Sequence, residues 1–304
     1  MNKINLGNSG LLASEIGLGC MRMNALSKKE AQTMIETAIN HDINFFDHAD
    51  IYGDGQSEEI FAEALKQTAT QREEVLLQSK CGIVKGKMYD FSKQHILESV
   101  EGSLQRLQTD YLDVLLLHRP DPLMEPEEVA EAFATLHHSG KVRNFGVSNF
   151  YPYQVELIQE ALPQKLIVNQ LQYGLKHTGM IDFGVHVNMK DERSLNHDGG
   201  VLEYSRLKQM TIQAWSPYQS NEGVMMDNPK FPKLNAKMKQ LAEEKGVTPM
   251  AIASAWILRH PAKIQVIAGT MNPERLEKIA AVSKVNLSRE EWYALYLAAG
   301  NDLP

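Results

Sequence analysis

Asp47, Tyr52, Lys80 and His118 differ in acid–base character, and each lies at or just beyond the end of a short apolar run. Together such groups can deliver one proton. A phenol titrates near pH 10, and an ammonium beside it favours the ionised form and lowers that value. Lys80 supplies the positive charge in this reading, and Asp47 is the partner that a buried ammonium requires. His118 then donates a hydrogen bond to a substrate oxygen, which fixes a carbonyl between a proton donor and a hydride donor. Taken singly, each residue has a plain structural reading, since polar groups at strand ends often only satisfy the backbone. Their convergence is what argues for a site.

The elements that must position them recur along the whole chain. Eight apolar or β-branched runs stand out: Glu15 to Leu18, Ile43 to Phe46, Val75 to Gln78, Val114 to Leu117, Val142 to Val147, Leu166 to Val168, Thr211 to Ala214 and Ile264 to Ile267. Most lack polar alternation, as strands buried on both faces do. Helix-length stretches with apolar residues at three and four spacing lie between them, among them Lys28 to His41, Ser92 to Leu107, Glu127 to His138 and Pro232 to Lys245. Ser27 with Glu30 has capping-box spacing, Ser92 precedes another helix start, and Gly140 reads as a helix stop. Eight such units predict one (β/α)₈ barrel domain over residues 1–304, with the active site at the C-terminal ends of the strands. The rival is an open doubly wound sheet carrying a dinucleotide. It lacks its glycine fingerprint, because Gly17-Leu18-Gly19 is followed by Arg22 at the place of the third glycine.

The strand ends then form one surface. Besides the first four residues it carries Ser148 and Asn149 after the fifth run, Gln170 after the sixth, Trp215 and Ser216 after the seventh, and Gly269 and Thr270 after the eighth. The loops expected to build a substrate pocket are Met21 to Ala25, Gly82 to Phe91, Arg119 to Glu125, the polar stretch Gly174 to Gly200 and the C-terminal tail. Met21, Met23, Met88, Tyr89 and Met124 are candidates for an adaptable apolar lining. The stretch from Gly174 to Gly200 reads as a surface excursion over the mouth of the site.

Composition narrows the partners. A net charge of -7 with 23% charged residues argues against nucleic acid, which calls for clustered Lys and Arg. No stretch approaches the roughly 20 apolar residues of a membrane span, and no signal peptide opens the chain. Two cysteines, Cys20 and Cys81, are too few for a disulfide framework or a zinc ribbon. A soluble, cytoplasmic protein is expected, with no metal, no nucleic acid and no membrane among its partners; oligomeric state is not legible.

Three longer motifs carry a resemblance over nearly the whole chain: Phe46-Asp47-His48-Ala49-Asp50-Ile51-Tyr52-Gly53, Leu115-Leu116-Leu117-His118-Arg119-Pro120, and Gly140-Lys141-Val142-Arg143-Asn144-Phe145-Gly146-Val147-Ser148-Asn149-Phe150. In this order, with Lys80 between the first two, they resemble the aldo-keto reductase family and, within it, a subgroup of bacterial oxidoreductases. The resemblance implies a barrel that binds NADP(H) in extended form and reduces a small-molecule carbonyl. Asp47, Tyr52, Lys80 and His118 match the catalytic tetrad, with Tyr52 as proton donor. Ser148, Asn149 and Gln170 match the residues that hold the nicotinamide carboxamide. Trp215 stands where a Tyr usually stacks on the nicotinamide ring, and Gly19, Met21, Ser216 and Pro217 are counted with the same cofactor surface. Gly269, Thr270, Met271 and Arg275 resemble the phosphate and adenosine segment. Met271 stands where many relatives carry Lys or Arg, and Lys278-Ile279 where they carry Glu-Asn, so Arg275 is expected to meet the 2′-phosphate alone.

Rival activities are poorer fits. A metal-dependent hydrolase would need further His or carboxylate ligands at the ends of the fifth to eighth strands, which offer none. A glycosidase would need a second carboxyl group across a sugar site. The alternative from another class is a non-catalytic NADP-binding or redox-sensing barrel, because auxiliary subunits of some ion channels resemble this family. A tetrad shows capacity and not a physiological task.

Overall fold

Strand and helix alternate through the computed structural model of the protein, which describes residues 1–304. Eight parallel strands close into a barrel: Ile16–Gly19, Phe45–Asp47, Leu76–Cys81, Leu112–Leu117, Val142–Ser148, Leu166–Gln172, Thr211–Trp215 and Gln265–Ala268. Each pairs only with its neighbours in the chain, and the eighth pairs with the first. All eight runs expected from the sequence are these strands. Helices return the chain between them on the outside, including Lys28–Asn40, Lys93–Leu107, Pro126–His138 and Pro232–Lys245.

Local chemistry sets the helix ends. Ser27 and Glu30 form a reciprocal capping box, and the Ser92 hydroxyl accepts from the backbone N–H of His95 at 3.3 Å. Gly140 follows the helix Pro126–His138 at φ +74°, a conformation that side chains with a Cβ disfavour. The main core of 66 buried residues joins the outer faces of the strands to the helices.

An antiparallel N-terminal hairpin, Lys3–Asn5 with Leu12–Ser14, was not expected from the sequence, because three-residue strands carry almost no periodic signal. Its Leu6 and Ala13 pack with Phe45, Val114, Leu116, Ile167 and Ile267 of the barrel strands in a second buried cluster. Gly7 sits at φ +55° against Ile167, where an added Cβ would come within 2.6 Å of backbone atoms.

The stretch from Gly174 to Gly200 is a surface excursion, as expected, but it does not lie over the mouth of the site. It holds a helix, Gly179–Val185, and fastens to the end of the chain: Lys176 donates to the Ala299 carbonyl at 2.6 Å, Arg193 to the Gly300 carbonyl at 2.8 Å, and Tyr296 to Asp182 at 2.6 Å. His186 within it is buried. Lys176, Asp182 and Arg193 are thus spent on the C-terminal segment.

Candidate active site

Register brings the tetrad together. Asp47 ends the second strand, Lys80 lies near the end of the third, and His118 follows the fourth. Tyr52 reaches the same point from a short turn, Tyr52–Gly55, in which Gly53 and Asp54 take positive φ. Lys80 is fully buried and donates to both Asp47 oxygens, at 2.7 and 2.9 Å, to the His48 carbonyl at 2.8 Å, and to the Tyr52 hydroxyl at 3.2 Å. The His118 and Tyr52 rings meet edge to face with centroids 6.0 Å apart.

The electrostatics differ in one respect from the sequence reading. The Tyr52 phenol is pushed above its ordinary value by burial; the Lys80 ammonium pulls it down and Asp47 adds to the rise. The expected net lowering is therefore not present, because burial outweighs the pull of the Lys80 ammonium and Asp47 adds to the rise. Burial works against the Lys80 charge, but Asp47 and Tyr52 outweigh it and hold the ammonium above its ordinary value. His118 is driven down to about 2 by burial, then by Lys80 and Arg119, so its imidazole is a neutral donor.

A groove of about 1210 Å³ runs from the tetrad across the strand ends. Asp47, Tyr52 and His118 line it, as do Gly19, Met21, Ser148, Asn149, Gln170, Trp215, Ser216, Pro217, Gly269, Thr270 and Arg275. Along its floor Trp215 donates to Asn149 Oδ1 at 3.1 Å, Asn149 to Ser148 Oγ at 2.8 Å, and Ser148 to the Gln170 carbonyl at 3.0 Å. Asn149 and Ser216 both hold positive φ, at 64° and 47°, a strain of the kind that collects at functional sites.

Met271 is the one expected cofactor residue that does not line the groove. It packs partly against the core, and its apolar side chain is the reason. Of the methionines and tyrosine proposed as pocket lining, Met21 alone lines it; Met23 is buried in the core, and Met88 and Tyr89 are exposed. The Gly174 to Gly200 stretch and the C-terminal tail also stay outside the groove.

Several lining residues were not singled out as site residues in the sequence, although Arg22 and Arg119 lie in loops expected to build the pocket. Arg119 stands beside His118 at the tetrad end, Arg22 donates to the Gly269 carbonyl at 3.4 Å, and Lys239, Lys278 and Glu274 line the groove with Arg275. Lys278 is three residues beyond Arg275 on the helix Pro273–Ala280, so helical spacing was an available signal. Lys239 comes from the helix Pro232–Lys245, and nothing local marks it. No group of three or more His, Cys, Asp or Glu converges as a metal site.

Residues 15–296 match the model of the aldo/keto reductase family, and the chain belongs to that family of oxidoreductases. It is 34% identical to the oxidoreductase YdhF of Escherichia coli (strain K12) over the full length of both chains. It is 36% identical to a 6-dehydroglucose reductase of Agrobacterium fabrum (strain C58 / ATCC 33970), over 91% of this chain and 90% of that one. Among solved structures, the thermostable aldo-keto reductase Tm1743 superposes with a TM-score of 0.80 at 26% identity, covering 98% of this chain and all of the other.

Proposed function

We propose that the protein is an NADP(H)-dependent carbonyl reductase in which Tyr52 donates the proton to the carbonyl oxygen. The observation that carries this reading is the single buried ammonium shared between Asp47 and Tyr52 beneath the groove. The residues present fit the cofactor. Gln170 lines the groove with its Oε1 left without a protein partner, an acceptor suited to a carboxamide N–H. At the far end, Arg275, Lys278 and Lys239 face the groove where a phosphate would sit. The aromatic face of Trp215 suits a flat ring between these ends. When bound, the reduced nicotinamide supplies the hydride.

The chain's own groups do the rest. Tyr52 and His118 both point hydrogen-bond donors at one substrate oxygen, so charge developing there is stabilised without reorganisation. Burial keeps the phenol protonated near neutral pH until that charge appears. Lys80 then stabilises the phenolate, and Asp47 keeps Lys80 charged. At the tetrad end, Arg119 favours carbonyl compounds rich in acceptor oxygens over plain hydrocarbon aldehydes. The relative named 6-dehydroglucose reductase points the same way.

The test is Tyr52→Phe, which should bind NADPH as the wild type does and lose NADPH-dependent carbonyl reduction by roughly 10² or more. Spectrophotometric turnover with a chelator present measures it. Near wild-type rates in the variant would remove Tyr52 from the reaction, and an absence of turnover on every carbonyl by the wild type would favour the non-catalytic NADP-binding reading.

A further inference from the structure

The inside of a barrel of this kind is ordinarily filled by layers of branched apolar side chains. Here part of it is apolar, with Phe45, Val114 and Leu116, but four glutamines stand among these: Gln78 on the third strand, Gln170 on the sixth, Gln213 on the seventh and Gln265 on the eighth, none more than 3% exposed. Register sets them level, for Gln170 pairs with Gln213, Gln213 with Gln265, and Asp47 with Gln78 on adjoining strands. Buried amides without partners are costly, and these have partners in one direction. Gln265 donates to the Ser14 carbonyl of the N-terminal hairpin at 2.7 Å, and Gln213 donates to Gln265 Oε1 at 2.8 Å. Gln78 and Gln213 are reciprocally bonded, at 2.8 and 3.2 Å. Gln78 and Gln170 each divide their two N–H groups between Gln213 Oε1 and Asp47 Oδ1, reaching the carboxylate at 2.7 and 3.0 Å.

The orientation of these amides is enforced. Turning either Gln78 or Gln170 over would set its carbonyl oxygen against both the Asp47 carboxylate and the Gln213 carbonyl. Asp47 Oδ1 thus receives three donors, two of them amides and the third Lys80. A scaffold role alone would be met by apolar side chains of similar volume, which avoid amide desolvation.

We propose that Gln78, Gln170 and Gln213, anchored by Gln265, form an amide relay that orients Asp47 and tempers its field at Tyr52, with Gln78 as a positioning residue for the proton transfer. This rests on Tyr52 as the proton donor. Gln78 itself lies outside the groove and meets neither substrate nor cofactor. The charged and titratable groups facing Tyr52 are Lys80 from the third strand, Asp47 from the second, the Cys20 thiol after the first, and His118 after the fourth. Each N–H aimed at Asp47 turns the positive end of a dipole toward it and offsets part of the negative potential felt by the phenol. Removing the Gln78 amide strengthens that potential and disfavours the phenolate, so Tyr52 must titrate higher.

The experiment is tyrosine ring-carbon NMR across alkaline pH on the full chain, with the Tyr52 signal assigned by its loss in Tyr52→Phe. Gln78→Met, which keeps length without donors, should raise the Tyr52 titration by about half a unit or more. It should lower kcat for carbonyl reduction about threefold to tenfold, with the NADPH dissociation constant within about twofold of wild type. Gln213→Met leaves the Asp47 contacts in place and should shift Tyr52 in the same direction by less; it also serves if Gln78→Met does not fold. Gln265→Met, at the end remote from Asp47, should lower thermal stability without moving Tyr52. An unmoved Tyr52 signal in Gln78→Met, or in Gln213→Met where that is the folded variant, overturns the relay. Equal shifts in all three variants overturn it too, because they would report loosened packing. Since phenol titration needs no turnover, failure of the relay stays distinct from failure of the reductase assignment, which kcat of the wild type reports.

Discussion

Arg275 and Arg119 stand at opposite ends of the groove, and the same guanidinium chemistry asks a different question at each. At the far end, a charge-assisted hydrogen bond to a phosphate contributes about 1.5 to 3 kcal/mol, roughly a 10- to 150-fold change in affinity. Arg275→Ala should therefore raise the dissociation constant for NADPH at least about tenfold and leave NADH nearly unchanged. Lys278 and Lys239 line the same end, so discrimination should exceed what Arg275 alone would give. Fluorescence titration of both nucleotides decides it, and equal losses for the two would mean that Arg275 does not read the 2′-phosphate. At the tetrad end, the Arg119 guanidinium lies 6.0 Å from the Trp215 ring centre. Arg119→Ala should lower kcat/KM for polyhydroxylated aldehydes about tenfold or more while sparing benzaldehyde. A uniform loss on both would instead assign Arg119 to the cofactor or to the fold.

Among the elements, the segment between the seventh strand and the helix Pro232–Lys245 borders the groove through Gln219, Val224, Met226 and Asp227. Its only regular structure is a two-residue pairing of Gln219–Ser220 with Gly223–Val224, too little to hold it in place. Asn235 ties it down. The Asn235 amide donates to the carbonyls of Met225, Asn228 and Phe231 at 3.0 to 3.2 Å and accepts from the backbone N–H of Asp227 at 2.9 Å. Asn235→Ala should release the segment and speed NADPH dissociation about threefold to thirtyfold, measured by stopped flow, with the barrel's circular dichroism unchanged. An unaltered release rate would show that the segment does not hold the cofactor.

At the scale of the whole molecule, buried titratable groups make stability depend on pH. His48 is held near 3 by burial and then Lys80, and His118 near 2. Unfolded, both titrate near 6.5, so below that value the unfolded chain binds more protons. The stability they contribute is present above pH 6.5 and lost as pH falls toward 3. Asp50 runs the other way: burial, then Glu58, lift it to about 7. Its contribution is full below the ordinary carboxylate value near 4 and lost as pH rises through 7. Two histidines outweigh one carboxyl, so the unfolding temperature should drop between pH 6.5 and 4. Asp50→Asn should raise it by about 2 °C or more at pH 8, and by less at pH 5. Calorimetry across that range checks both, and a variant gain that is larger at pH 5 would contradict the assignment of Asp50.

What the sequence determined by itself was the barrel and most of its working surface. Strands buried on both faces are largely apolar, so the eight runs were visible, and strand ends are where a parallel barrel exposes chemistry, so Asp47, Lys80, His118 and Gln170 could be read in place. Contacts fixed by distant register were not legible. Gln213 and Gln265 lie inside apolar runs and acquire meaning only when closure of the barrel sets them level with Gln170 and brings Gln78 against Asp47. Lys239 lines the same groove as Arg275 from a different helix, and Met271 packs against the core. The net rise of the Tyr52 phenol was hidden for the same reason: it depends on burial and on Asp47 as well as on the Lys80 charge, and only the folded chain sets their balance.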